Sequence, residues 1–136
     1  TVTFLGRLDA EQMKDRYLKS SLFVCCSSVE NSPNSLGEAM LLGMPCVSAD
    51  VGGIPSIFTQ GEDGIMYQGF EKSGKHSGEL EAVSARLARA VLEMWENEDR
   101  AEEFGRCARR HAIKTHDPEQ NYERLAQIYG EMASRT

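Results

Sequence analysis

Four short apolar runs, each closed by polar or glycine-containing punctuation, set the rhythm of the first half of the chain. Val2–Leu5, Leu22–Ser27, Cys46–Ala49 and Gly64–Tyr67 have strand length. Helical spacing lies between them. Asp9 is placed to cap a helix from Ala10 to about Ser20, with Met13, Tyr17 and Leu18 on one face. A second helix is predicted from Ser35 to about Leu42, stopped by Gly43 and Pro45. Asp50-Val-Gly-Gly53 reads as a loop, and Ile54–Thr59 as a short helix with Pro55 in its first turn. Leu22–Ser27 is apolar on both faces, as a strand inside a parallel sheet is. Strands alternating with helices predict an α/β fold. The expected form is a Rossmann-like three-layer sandwich around a short parallel sheet of about four strands, joined by right-handed crossovers.

After this the pattern changes. Residues 70–78 are polar and read as a surface loop; residues 79–136 read as a helical tail. Leu80, Val83, Leu87, Val91, Met94 and Trp95 recur at helical spacing, and Ala101, Phe104, Ala108 and Ala112 form a second stripe with Asp99 as candidate N-cap. After Asp117-Pro118 a third stripe carries Tyr122, Leu125, Ala126, Tyr129 and Met132. All three stripes are expected to face a core. Residues 1–136 are expected to form a single domain. The chain opens directly on a strand-like run, which is expected of a piece of a longer protein.

Composition removes several classes of function. With 40% hydrophobic and 26% charged residues the balance is that of a folded globular chain. The net charge of −6 repels phosphate backbones and argues against a nucleic-acid partner. No apolar run approaches the length of a membrane span, and no signal peptide is recognisable. Cys25 and Cys26 are neighbours in a strand and point to opposite faces, and no C-x-x-C pair exists. Reduced thiols in a cytoplasmic protein are therefore expected. His76, His111 and His116 stand at no metal-ligand spacing with the cysteines or one another, so no metal is expected.

The candidate chemistry lies in Glu30-Asn-Ser-Pro-Asn-Ser-Leu-Gly-Glu38, where two carboxylates eight positions apart bracket a turn that opens a helix. Free N–H groups at a helix start can hold a diphosphate, and here the Asn34 amide and the N–H groups of Ser35, Leu36 and Gly37 are placed to converge on one anion. Carboxylates on either side can accept hydrogen bonds from sugar hydroxyls. Ser35 and Glu38 equally fit a capping box, which would explain both without a ligand. Gly37, lacking a Cβ, allows close approach of either a ligand or a neighbouring strand. Glu30 follows a strand at the carboxyl edge of the sheet, where ligands of open parallel sheets gather. Gly52-Gly53 follows the next strand at the same edge, and either lies against a ligand or simply turns the chain. Arg7, after the first apolar run, is a candidate phosphate or base contact or a plain surface arginine. There is no P-loop, no dinucleotide fingerprint and no nucleophile elbow.

Taken in order, these features resemble the C-terminal, donor-binding domain of retaining GT-B glycosyltransferases, the glycosyl transferases group 1. The resemblance is carried by Val2-x-Phe-Leu-Gly6, Ser27-Ser28, the Glu30-to-Glu38 motif followed by Ala39-Met40, Gly43-Met-Pro45-Cys-Val47, Asp50-Val-Gly-Gly53-Ile-Pro55, Gly64 and Tyr129. It departs at Ser56, where the family often has a glutamate, and in the length of the loop at 70–78.

The resemblance implies a truncated GT-B donor domain that binds a nucleoside-diphosphate sugar and, in the complete enzyme, transfers the sugar to an acceptor hydroxyl with retention. It assigns Glu30 to the donor sugar near the transferring centre, Glu38 to the ribose, and the main chain of Asn34, Ser35, Leu36 and Gly37 to the diphosphate. Arg7 and Leu8 would cradle the base, and Gly53 would lie beside the donor. It implies no metal or other cofactor, and an acceptor domain on the N-terminal side through which any peripheral membrane association would arise. It also implies a fragment that is inactive alone. A non-catalytic Rossmann-like binding module and a sugar-nucleotide epimerase-like domain are the alternatives.

Overall fold

The computed structural model describes residues 1–70 and 79–134. In chain order the elements are α1 (Ala10–Leu18), β1 (Phe23–Cys25), α2 (Asn34–Leu41), β2 (Cys46–Asp50), a 3₁₀ turn (Ile54–Ser56), β3 (Gly64–Gln68), α3 (Glu79–Trp95), α4 (Glu98–Thr115) and α5 (Pro118–Ala133). The fold is α/β and Rossmann-like. Its sheet is parallel throughout, in the order β1-β2-β3. Cys46 of β2 pairs with Phe23 on one side and Gly64 on the other, so β2 is the central strand. Its first four residues are buried on both faces, as the continuous apolar run of Cys46–Ala49 requires. Burial, before the nearby Asp63 and Cys25, pushes the Cys46 thiol far above its ordinary value, so it stays protonated and serves as packing.

Among the described residues the sheet has three strands, where about four were expected. Val2–Leu5 is not a strand, with Val2 80% and Phe4 95% exposed. A strand exists by hydrogen-bonding to a neighbour, and among the described residues none pairs with this segment. Asp9 does cap α1, in a full capping box with Gln12. The α4 cap is Asn97 rather than Asp99: its side chain accepts from the Arg100 N–H at 3.1 Å. Asp99 falls inside the first turn, where its charge meets the positive end of the helix dipole.

The helical stripes divide. Ala101, Phe104, Ala108 and Ala112 are buried as expected. In α3, Val83 and Met94 are buried, but Leu80 and Trp95 lie in solvent. The α5 stripe faces no core: Tyr122, Leu125, Tyr129 and Met132 are all exposed, and no residue of this helix is buried. Periodicity marks which face of a helix is apolar, and says nothing of whether another element covers it. The polar loop expected at 70–78 falls, except for Phe70, outside the described residues.

Two contacts lock α4 in place. Asp63, 2% exposed, accepts from the Thr59 N–H at 2.8 Å and sits 2.6 Å from His111 Nδ1, tying the turn before β3 to α4. Gly105 of α4 meets Gly43, just past α2, so closely that a Cβ at 105 would lie 2.2 Å from the Gly43 carbonyl oxygen.

Gly105→Ala is expected to destabilise the chain by about 2 kcal/mol, overpacking against backbone exceeding the ~1 kcal/mol gain in helix propensity. Gly130→Ala, with open space around its Cβ, should stabilise by up to ~1 kcal/mol. Urea denaturation of both variants checks this; equal stabilities would refute the packing account.

Candidate functional site

The loops leaving β1 and β2 meet backbone to backbone at the carboxyl edge of the sheet. The Gly53 N–H donates to the Glu30 carbonyl at 3.2 Å. A Cβ on Gly52 would stand 1.6 Å from the Glu30 carbonyl oxygen, and one on Gly53 1.8 Å from that of Asn31. Gly52 also adopts φ 56, which L side chains avoid. The glycine pair therefore has a reason inside the protein: it lets one loop hold the other. The Glu30 side chain is fixed as well, since Ser27 Oγ donates to Glu30 Oε1 at 2.9 Å.

The loop then enters α2. Pro33 is the N-cap, with extended backbone and no side-chain capping bond. The capping box expected of Ser35 and Glu38 does not form, because the N-cap lies two residues earlier, at Pro33, and Ser35 is already helical. The amides of Leu36 and Gly37 donate to the Pro33 carbonyl at 3.1 and 3.3 Å. Among the described residues, the backbone donors left without a backbone acceptor at this helix start are those of Asn34 and Ser35, a narrower set than expected. Leu36 is fully buried in the core. At Gly37 the place of a Cβ is taken by a side chain, with His116 Nε2 at 2.9 Å. With Gly105 against Gly43 at one end and His116 against Gly37 at the other, α4 runs antiparallel to α2 and ends where α2 begins.

Glu38, freed from capping, turns to α1. Tyr17 is 6% exposed, and its hydroxyl lies 3.2 Å from Glu38 Oε2 and 3.3 Å from the Ser35 carbonyl, both acceptors. Burial, then the Glu38 carboxylate, pushes the Tyr17 phenol up to about 12, so it remains a donor at neutral pH. Tyr17 and Glu38 line a cavity of about 460 Å³ together with Leu8, Met13, Leu41 and Leu42. The structure thus brings Leu8 and Glu38 together, and adds Tyr17. Glu30 and Asn34 are not among the residues lining that cavity. Arg7 is exposed, with no ion pair or hydrogen bond among the described residues.

Sequence reasoning took Tyr17 for an apolar face residue. The available signal was the phenol itself: a tyrosine in a buried stripe needs a partner for its hydroxyl. His116, set aside as part of the tail, comes to the start of α2 through tertiary packing alone. A larger cleft of about 610 Å³ lies around Asp63, His111, Arg100 and Arg110. Three of its charged side chains have protein partners: Asp63 has His111, Arg100 has Glu93 and Arg110 has the Cys107 sulfur. Among the described residues no group of three or more His, Cys, Asp or Glu could hold a metal ion, and no helix is long and apolar enough to cross a membrane.

The family of glycosyl transferases group 1 matches residues 1–111, from the first apolar run into α4. The chain belongs to this family. Among curated group 1 relatives it is 28% identical over 127 residues to the alpha-maltose-1-phosphate synthase of Mycolicibacterium smegmatis, covering 93% of this chain and 31% of that protein. It is 33% identical over 73 residues to the N-acetyl-alpha-D-glucosaminyl L-malate synthase of Bacillus anthracis, covering 54% of this chain and 19% of that protein. Sucrose-phosphate synthase from Thermosynechococcus elongatus superposes with a TM-score of 0.78 at 21% identity, over 98% of this chain and 31% of that one. HepE from Anabaena, solved in complex with UDP and glucose, superposes with a TM-score of 0.77 at 21% identity, over 95% of this chain and 32% of that one. The chain thus spans about a third of the length of three of these proteins and about a fifth of the glucosaminyl L-malate synthase.

Gly52→Ala should displace the Glu30 loop and cost at least about 2 kcal/mol of stability, whereas Gly37→Ala should be nearly neutral, since the exposed His116 ring can move aside. Thermal melts of the two variants distinguish them; a tolerated Gly52→Ala would break the loop–loop argument.

Alkaline pH provides a second check. Tyr17 has an ordinary value of 10.0 and a raised folded value, so its contribution is complete below pH 10 and is lost as pH climbs towards 12. Cys46 adds a loss beginning at its ordinary value of 9.0. Unfolding free energy measured across this range should fall, and Tyr17→Phe should flatten the fall above pH 10; an unchanged slope would contradict the assignment.

Proposed function

We propose that this chain holds the nucleoside-diphosphate sugar donor of a retaining glycosyltransferase acting on an acceptor hydroxyl. The observation that carries this reading is the sharing of one cavity by Leu8, Tyr17 and Glu38, beside a helix whose first two amides are unspent. Family membership and the UDP and glucose bound by the similarly folded HepE support it.

In this reading the base lies against Leu8, with Arg7 beside it, and Glu38 accepts from the ribose hydroxyls. The diphosphate meets the N–H groups of Asn34 and Ser35, the Asn34 side chain and the positive end of α2; Leu36 and Gly37 shape that turn rather than donate. Glu30, held by Ser27 and by the Gly53 contact, accepts from hydroxyls of the donor sugar near the transferring centre. As the glycosidic bond to phosphate breaks, negative charge grows on the leaving diphosphate. Oriented N–H groups stabilise it without reorganising, so the scheme calls for no divalent ion. Transfer draws the acceptor site from the part of the relatives' length that this chain does not span, and the fragment alone is then inactive. The four free cysteines suit a reducing compartment such as the cytoplasm.

Titration of the chain with UDP, GDP and ADP, followed by NMR, should move the amides of Leu8, Asn34, Ser35 and Glu38 with a Kd of about 1 mM, or roughly −4 kcal/mol. In the full-length enzyme Glu30→Gln should lower transfer at least about a hundredfold with stability unchanged. A folded chain that responds to none of the three nucleotides, or a fully active Glu30→Gln enzyme, would overturn the reading.

A further inference from the structure

The hydroxyl of Tyr17 has no role in the donor site as set out above, although it is the polar group that α1 places beside Glu38. Its ring is fixed independently, tilted against Phe23 at a centroid distance of 5.8 Å. The hydroxyl reaches Glu38 Oε2 and the Ser35 carbonyl. Glu38 itself is an exposed helical residue, and a glutamate in that setting ordinarily samples many rotamers. Among the described residues Tyr17 is its hydrogen-bond partner.

We propose that Tyr17 is a positioning residue for nucleotide recognition: its hydroxyl holds one oxygen of Glu38 so that the other is presented to the vicinal hydroxyls of a ribose. The proposal rests on the donor-site reading and goes beyond it, naming the group that makes the site select a ribonucleotide over its deoxy counterpart. The chemistry fits on three counts. The phenol stays protonated at neutral pH, so it has a proton to offer the carboxylate. A carboxylate oxygen already ordered loses less rotamer freedom when a ribose hydroxyl binds its partner oxygen. The single phenolic proton is shared between Glu38 Oε2 and the Ser35 carbonyl, which belongs to the first turn of α2, so the hydroxyl sits between the proposed ribose contact and the start of the helix proposed to meet the diphosphate.

The test compares ligands as well as variants. Binding of UDP, GDP and ADP, and of their 2′,3′-dideoxy counterparts, is measured by calorimetry or NMR with the unmodified chain, Tyr17→Phe, Glu38→Ala and the double variant. Tyr17→Phe keeps the ring packed on Phe23 and should weaken the ribonucleotide about fivefold while changing the dideoxy analogue less than about twofold. Glu38→Ala should show the same selectivity loss, and the double variant should be no worse than Glu38→Ala alone. Equal loss for both ligands in Tyr17→Phe would make Tyr17 merely structural and overturn the proposal, as would no loss at all. If Tyr17→Phe fails to fold, Glu38→Asp, which draws the carboxylate away from the hydroxyl, takes its place: retained ribose selectivity would overturn the proposal. The underlying reading fails separately, and the proposal with it, if the unmodified chain binds no nucleotide or if Glu38→Ala leaves the ribose-to-dideoxy ratio unchanged.

Discussion

The site depends on the close contact between two loops at one edge of a small parallel sheet. Parallel strands deliver the loops after β1 and β2 to the same side, but that alone leaves each free to move. Here they touch through main chain: a Gly53 N–H on the Glu30 carbonyl, and two glycines without which the Glu30 and Asn31 carbonyls would have no room. Glu30, the acid proposed to meet the donor sugar, therefore stands on backbone held at both its flanks, by β1 and by the exit of β2. Fixed backbone of this kind is what lets a short polar turn present a carboxylate in one place rather than many.

The packing of α4 against α2 sets the other boundary. Antiparallel helices in contact place a negative dipole end beside a positive one, a favourable arrangement at the start of α2. The two glycines at one end of the pair permit the approach, and at the other His116 fills the gap that Gly37 leaves. Gly37 thus has an explanation internal to the fold. The carboxyl edge of the sheet, the start of α2 and the end of α4 form one continuous structural unit, built from residues more than sixty positions apart in sequence.

How much of this was legible in the sequence follows from which forces are local. The placement of β2, β3, α1 and α2 was readable, because apolar runs, Asp9, Gly43 and Pro45 act on their own neighbours. The family was readable from ordered motifs. The strand at Val2–Leu5 was misjudged because β structure requires a partner that composition cannot supply. The capping box failed by a shift of two residues, since Pro33 rather than Ser35 took the cap and left Glu38 to find Tyr17. That hydrogen bond, the His116 contact with Gly37, and the pairing of Asp63 with His111 join segments distant in sequence, and no local pattern encodes them. The reason for Gly52-Gly53 was likewise invisible, because it lies in the shape of another loop.

α5 contributes no buried side chain, so its 16 residues draw no support from the apolar core. What begins it is local: Asp117 accepts from two amides of the first turn, and Pro118 presets the backbone. Its melting leaves the apolar interior untouched. Amide hydrogens of this helix should therefore exchange with solvent through local opening, on a timescale set apart from the global opening that exposes those of β2.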